Sequence, residues 1–282
     1  MTAVHDTEPI LTIPIPERAD GREHVCASSH EGVFVNGVRI DALGVADFLA
    51  RLDEFLACGR SHVIHFLAAH PTVEARTDGR YRHVLNQGKV NLPDGLPVVW
   101  AGRIMGTHLS RLTGTDGMQL VSRWGLDRAL AHFCYGGTTD TLALLQDGLA
   151  TRFPGIRIVD AVSPPFRELS DDELAEDARR IRDAGTQALW IGLGAPKQDL
   201  IAQRLESLEA APLIFCVGAA FDFVAGNKRR APAWARAVGL EWLFRLASEP
   251  SRLWKRYLSG NPRFVAGGVT DRIRGDAATG WG

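Results

Sequence analysis

Three short segments of the sequence carry residues suited to handling a hydroxylic or phosphorylated ligand. LPDGLP, at 92–97, places Asp94 just after a short apolar run and beside a glycine, with few other acids nearby. A single carboxylate so placed can take a proton from an attacking hydroxyl, which makes Asp94 a candidate general base. Asp-Gly is also the commonest of turn pairs, so a plain turn is the other reading. YGGTTD, at 135–140, sets Gly136 and Gly137 where the backbone can approach a ligand closely. The helix start that follows offers free N–H groups to a phosphate, although a tight turn without ligand would look the same. GLGAPKQD, at 192–199, adds the charge of Lys197 and the amide of Gln198 to a glycine-bearing turn, with Pro196 suited to a first helical turn. It is neither a Walker A loop, lacking GK[ST], nor a GxGxxG fingerprint, and a helix start with a solvated lysine is its bland alternative.

The chain that must position these residues has 282 of them, enough for one large domain or two small ones. Its 45% hydrophobic and 23% charged composition is that of an ordinary soluble globular protein. A net charge of −1 argues against a nucleic-acid partner on global grounds. The four cysteines, Cys26, Cys58, Cys134 and Cys216, form no CxxC pair. Cys134 and Cys216 sit in strand-like apolar runs and read as small buried hydrophobes, with disulfides or zinc as the alternatives. A reducing, cytoplasmic compartment is the resulting expectation. Residues 1–30 are polar and lack a signal-like apolar region. No run approaches the roughly 20 apolar residues of a membrane span, so any membrane association is expected to be peripheral.

Periodicity gives the order of elements. VFVNGVRI leads into a helix over Val45–Cys58, with Phe48, Leu49, Leu52, Phe55 and Leu56 on one face. VIHFLA, at 63–68, reads as a buried strand and Val73–Gln87 as one polar helix. KVNLP is a short strand, followed by a helix in GLPVVWAGRIMG. AHFCYGG is a strand, Thr139–Arg152 a helix and IRIVDAV a strand. Ser170 is a plausible N-cap with Glu173 as its capping-box partner, opening a helix to Ala184. ALWIGLG and LIFCVG are continuous apolar runs of the kind buried on both faces of a sheet. The repeated strand–helix–strand text predicts an α/β fold with a largely parallel, Rossmann-like sheet flanked by helices.

Beyond Gly226 the character changes. Residues 226–263 hold nine basic against two acidic residues, a local excess of +7 in a chain of net charge −1. Trp234, Trp242, Phe244, Trp254, Tyr257 and Phe264 are interleaved with the charges. The expected organisation is a flexible leader at 1–30, an α/β core at 31–226, a basic helical appendage at 227–264 and a flexible tail at 265–282. Helices rich in Trp and Arg lie in the headgroup region of anionic membranes, although packing of Trp242 and Leu243 on the core is the alternative. Pro250 argues against a single uninterrupted helix.

Taken together, these segments resemble the WecG/TagA/CpsF family, glycosyltransferase family 26, from about Gly32 to Phe264. LPDGLPVVWAGRIMG is similar to its DG-hydrophobic segment, SRLTGTDGMQL to its R-[VL]-x-G-x-D element, and FCYGG with FPGIRIVDAVSPPF to a further stretch. LWIGLGAPKQD matches its GLGxPKQE motif. VGAAFDFVAGNKRRAP with GLEWLFRLASEPSRLWKRY matches its most diagnostic block.

The resemblance implies inverting transfer of a sugar from a UDP donor to a polyprenyl-diphosphate-linked sugar at the cytoplasmic membrane face, for cell-surface polysaccharide synthesis. The sugar would be N-acetylmannosamine, its uronic acid or glucose. No cofactor and no metal are implied, the UDP-sugar being a substrate. Asp94 then matches the family's aspartate, and Arg111 and Gln198 match pocket residues. Gly136, Gly137, Lys197 and Asp222 fall in the donor-binding segments. Arg245 and Arg252 match appendage arginines that close over the donor phosphates. Lys255, with Arg256 beside it, stands where a third arginine is often found, which keeps charge without fork geometry. The chain departs from the family at AAHPTVE, where Ala68 and His70 replace a Thr-x-Asn pair. His70 is therefore a candidate catalytic or acceptor contact. Competing expectations are an inactive membrane-recruited scaffold and a Rossmann-type oxidoreductase, the latter opposed by the missing GxGxxG. A homo-oligomer is compatible with the apolar surface, but no interface is readable.

Overall fold

The computed structural model describes residues 31–232, 234–235, 241–248, 251 and 264, with the backbone alone for 242, 245 and 248. Six strands form one sheet: β3 (His62–Leu67), β4 (Val90–Pro93), β5 (Ala131–Gly136), β6 (Arg157–Val162), β7 (Ala188–Gly192) and β8 (Leu213–Cys216). Their spatial order is β4-β3-β8-β7-β5-β6, and every neighbouring pair is parallel. The expected α/β class is therefore the observed one. Before the sheet, β1 (Gly32–Val35) and β2 (Val38–Asp41) form an antiparallel hairpin. Its turn is Asn36-Gly37, with φ of 55° and 76°. That pair is the commonest two-residue hairpin turn, a signal the reading of VFVNGVRI as a single run passed over.

Helix α1 (Val45–Cys58) has the expected bounds and buries Phe48, Leu49, Leu52 and Phe55. The helix expected over 73–87 is two, α2 (Ala69–Thr77) and α3 (Gly79–Gln87). Asp78 divides them: it ends α2 in an extended conformation, and its side chain accepts the Tyr81 N–H at 3.0 Å. A short polar side chain that can cap a helix favours a new start over continuity. After β4 come α4 (Leu96–Ile104) and α5 (Gly114–Leu126). Further helices among the described residues are α6 (Thr139–Arg152), α7 (Asp171–Asp183), α8 (Lys197–Ser207), α9 (Ala220–Val224) and α10 (Glu241–Ser248). The capping box of Ser170 and Glu173 is present at the start of α7.

Alternation along the strands divides the core into two layers. Ile64, Phe66, Cys134, Trp190 and Phe215 face α1, α5, α6 and α9. Val63, Phe133, Tyr135, Leu189, Ile191 and Ile214 face α7 and α8. At the centre Trp190 stacks on Phe215, with ring centroids 4.3 Å apart, and donates its Nε1–H to His132 Nδ1 at 3.0 Å. Burial pulls His132 down to about 4, so the ring is neutral and free to accept that bond. Cys134 and Cys216 are free and buried as expected, whereas Cys58 is disulfide-bonded.

The sheet's backbone is tightest where β5 meets β7. Gly136 has φ of 130°, and a Cβ there would stand 2.7 Å from the Gly192 carbonyl oxygen. Both strain and collision oppose any side chain. Gly136→Ala should lower unfolding stability by at least about 2 kcal/mol in a urea titration; a loss below about 0.5 kcal/mol would refute this account of the crossing.

Candidate active site

Because all six strands are parallel, their carboxyl ends share one edge, and ligands of open α/β sheets bind beyond such an edge. Asp94 lies directly after β4, His70 in the first turn of α2 after β3, and Asp222 in α9 after β8. Lys197 and Gln198 open α8 after β7, and Gly136 and Gly137 end β5. The sequence-predicted residues thus line one edge but do not all meet. β4 and β5 are four strand spacings apart, about 19 Å, with the ends of β3, β8 and β7 between.

Asp94 is partly buried, and its backbone is fixed on two sides. Its N–H donates to the Leu67 carbonyl at 3.0 Å, extending the β3–β4 pairing beyond the strands. Its own carbonyl accepts Arg111 Nε–H at 2.7 Å. The same guanidinium donates to Glu241 on α10 at 2.6 Å, with both side chains about four-fifths buried. Arg111 therefore holds the Asp94 turn and one end of α10 at once. His70 Nε2 lies 3.4 Å from Glu74 one helical turn on, and the ring is one-third exposed. Ala68, immediately before α2, comes close to Gly95. Ala68 therefore borders the Asp94 turn, and His70 follows two residues on in α2.

At the middle of the edge, Gln198 is buried and turned back on its own loop, where Oε1 accepts the Gly194 N–H at 3.1 Å. Lys197 reaches the other way, its Nζ lying 3.2–3.4 Å from the carbonyl oxygens of Pro165, Phe166 and Arg167. Its charge thus ties the β6–α7 loop to the start of α8. Gly137 accepts a hydrogen bond from Ser163 at 2.7 Å, joining the ends of β5 and β6. Thr138 then caps α6.

Sequence reasoning missed a set of residues that bind the segment after α9 to these helix starts. Asn227 Nδ2–H donates to Thr141 in α6 at 3.1 Å, and Lys228 Nζ lies 2.9 Å from Asp222. Arg230 grips Asp116 in α5 through two bonds of 2.7 and 2.8 Å and donates to Thr113, the cap of that helix, at 3.0 Å. The Arg230 side chain is 6% exposed and Asp116 16%, so the pair is shielded from water. The available signal was RLTGTD, in which a threonine stands three positions before an acid as in a capping box. The arginine partner lies 114 residues away and had no local signal. Arg245 lies on α10, where only its backbone is described, and Arg252, Lys255 and Arg256 lie outside the described residues.

Among the described residues, no helix is long and apolar enough to cross a membrane. The sequence model of the glycosyl transferase WecG/TagA/CpsF family matches residues 33–277. A protein of Bacillus spizizenii, an N-acetylglucosaminyldiphosphoundecaprenol N-acetyl-beta-D-mannosaminyltransferase, is 29% identical over 205 residues, which cover 71% of this chain and 76% of that protein. A Bacillus subtilis protein of the same description is 30% identical over 183 residues, 64% of this chain and 69% of its own.

Removing one member of a shielded ion pair strands the other. Arg230→Ala should cost about 2–4 kcal/mol of unfolding stability. Adding Asp116→Ala should then cost less than it does alone, as a double-mutant cycle would record. Losses that simply add would remove the pair as the tie between the 227–230 segment and α5.

Proposed function

Since the chain belongs to the glycosyl transferase WecG/TagA/CpsF family, we propose that it transfers N-acetylmannosamine from a UDP donor to a polyprenyl-diphosphate-linked N-acetylglucosamine, with inversion. The observation that carries this reading is the activity shared by two relatives that align over roughly two-thirds of the chain. The placement of Asp94 supports it: a partly buried carboxyl group on a turn fixed at both its N–H and its carbonyl.

In this mechanism Asp94 accepts the proton of the acceptor hydroxyl as its oxygen attacks the anomeric carbon of the donor. The bond from that carbon to the diphosphate oxygen breaks on the opposite face, and the electron pair leaves with UDP. The negative charge that develops there needs fixed positive partners. Arg245, Arg252, Lys255 and Arg256 supply them from the basic segment, so neutralisation needs no divalent ion. Gly136, Gly137, Lys197, Gln198 and Asp222 belong to the segments that shape the donor pocket. Arg111 holds the base in register through the Asp94 carbonyl. His70, in the first turn of α2, is the acceptor-side contact. The basic residues of 245–256 serve both to hold the donor diphosphate and as a peripheral contact with the inner face of the cell membrane.

Asp94→Asn keeps the shape of the turn and removes the base. Turnover with a UDP-N-acetylmannosamine donor should fall about 10²–10⁴-fold while UDP binding stays near wild type. Wild-type turnover in that variant would eliminate Asp94 as the base. Neutralising Arg252, Lys255 and Arg256 by Gln should weaken co-sedimentation with anionic liposomes by roughly fivefold per charge, at about 1 kcal/mol each. Unchanged co-sedimentation would place the membrane contact elsewhere.

A further inference from the structure

Beneath the strand ends, four side chains from separate elements converge: His65 of β3, Tyr81 of α3, Asp199 of α8 and Cys216 of β8. All are buried, none more than 2% exposed. Asp199 is the acceptor for the other three. His65 Nδ1 lies 2.9 Å from Oδ1, the Tyr81 hydroxyl donates to Oδ2 at 2.7 Å, and the Cys216 thiol hydrogen-bonds the same carboxyl group. Burial first, and then the neighbouring carboxylate, push both the Tyr81 hydroxyl and the Cys216 thiol well above their ordinary values. Both therefore keep their protons and act as donors. On the far side of the imidazole, a Cβ at Gly88 would come within 2.5 Å of His65 Cδ2, so backbone wedges the ring in place.

His65, Asp199 and Cys216 also bring one potential metal ligand each to within 4.8 Å of one another. The hydrogen bonds already occupy the inner atoms of that set, and Tyr81 takes the second carboxylate oxygen. Apart from His65 Nε2, which is buried and makes no hydrogen bond, hydrogen bonds to Asp199 account for the four residues together.

What this network holds is the first turn of α8. Lys197, Gln198 and Asp199 are consecutive, and each is bound in a different direction. Lys197 joins the 165–167 carbonyls, Gln198 joins Gly194, and Asp199 joins β3, α3 and β8. We propose that Asp199, with Tyr81 and His65, is a positioning residue for the nucleotide: it sets the 192–198 turn and the start of α8 in the conformation that meets the donor diphosphate. The inference rests on the sugar-nucleotide reading above. Asp199 touches no substrate and acts through Gln198 and the turn.

The test compares wild type, Asp199→Asn and Tyr81→Phe in UDP titration calorimetry, donor kinetics and thermal unfolding. Asp199→Asn should raise the UDP Kd and the donor KM about tenfold and leave kcat at saturating donor within about twofold, since misplacing a binding turn weakens binding before chemistry. Tyr81→Phe, which loses a single hydrogen bond, should move the same two quantities in the same direction by a smaller factor. A lowered Tm with unchanged Kd and KM in both variants would make the network merely structural and overturn the proposal. One equivalent of zinc in the purified wild type, lost in Asp199→Asn, would overturn it in favour of a metal site. Failure of wild type itself to bind UDP would overturn the nucleotide-donor reading and this inference with it, an outcome distinct from variants that bind as wild type does.

Discussion

A parallel sheet covered on both faces leaves its chain few places to put polar chemistry. The strands must be apolar on both sides, as β7 and β8 are, and the helices spend their inner faces covering them. What remains is the edge where the strands run out, and there the backbone has unsatisfied groups to offer. In this molecule that single constraint gathers Asp94, Ala68, His70, Gly136, Gly137 and the 192–198 turn on one side of the sheet. Reversing any one strand would send its loop to the other end and divide the site.

Loops at an edge still need fixing, and ionic and hydrogen-bonding ties supply it. Arg111 joins the Asp94 turn to Glu241, and Lys197 joins the start of α8 to the β6–α7 loop. Residues 227–230 run across three helix starts, binding α6, α9 and α5 in turn. This strap explains why the basic character that begins after Gly226 is not all free charge. Lys228 and Arg230 are committed to Asp222 and Asp116.

Much of the architecture was legible because it is written locally. The stripe of Phe48, Leu49, Leu52 and Phe55 gave α1 its exact bounds, and Ser170 with Glu173 announced α7. Asp94 and the GLGAPKQD turn could be placed because strand ends follow apolar runs. Features that depend on distant partners were not legible. Asp78 looked like one more polar residue in a helix until its bond to the Tyr81 N–H divided that helix in two. Arg230 counted only as one of nine basic residues in the 226–263 segment, whereas its side chain is buried against an aspartate far away in sequence. Asp199 followed a recognisable motif, but only the fold brings it to His65 and Tyr81. The limit is physical: a side chain's role is set by what tertiary packing brings within about 3 Å of it, and local spacing does not encode that distance.

The proposed reaction at this edge is transfer of a sugar from UDP to a lipid-linked sugar. It is met most directly by incubating the purified full chain with UDP-N-acetylmannosamine and a short-chain polyprenyl diphosphate bearing N-acetylglucosamine, then weighing the lipid product. The expected result is a gain of one N-acetylhexosamine on the acceptor, matched by an equal release of UDP. Release of UDP without a change in acceptor mass, or no consumption of any UDP-sugar in a panel of donors, would contradict it.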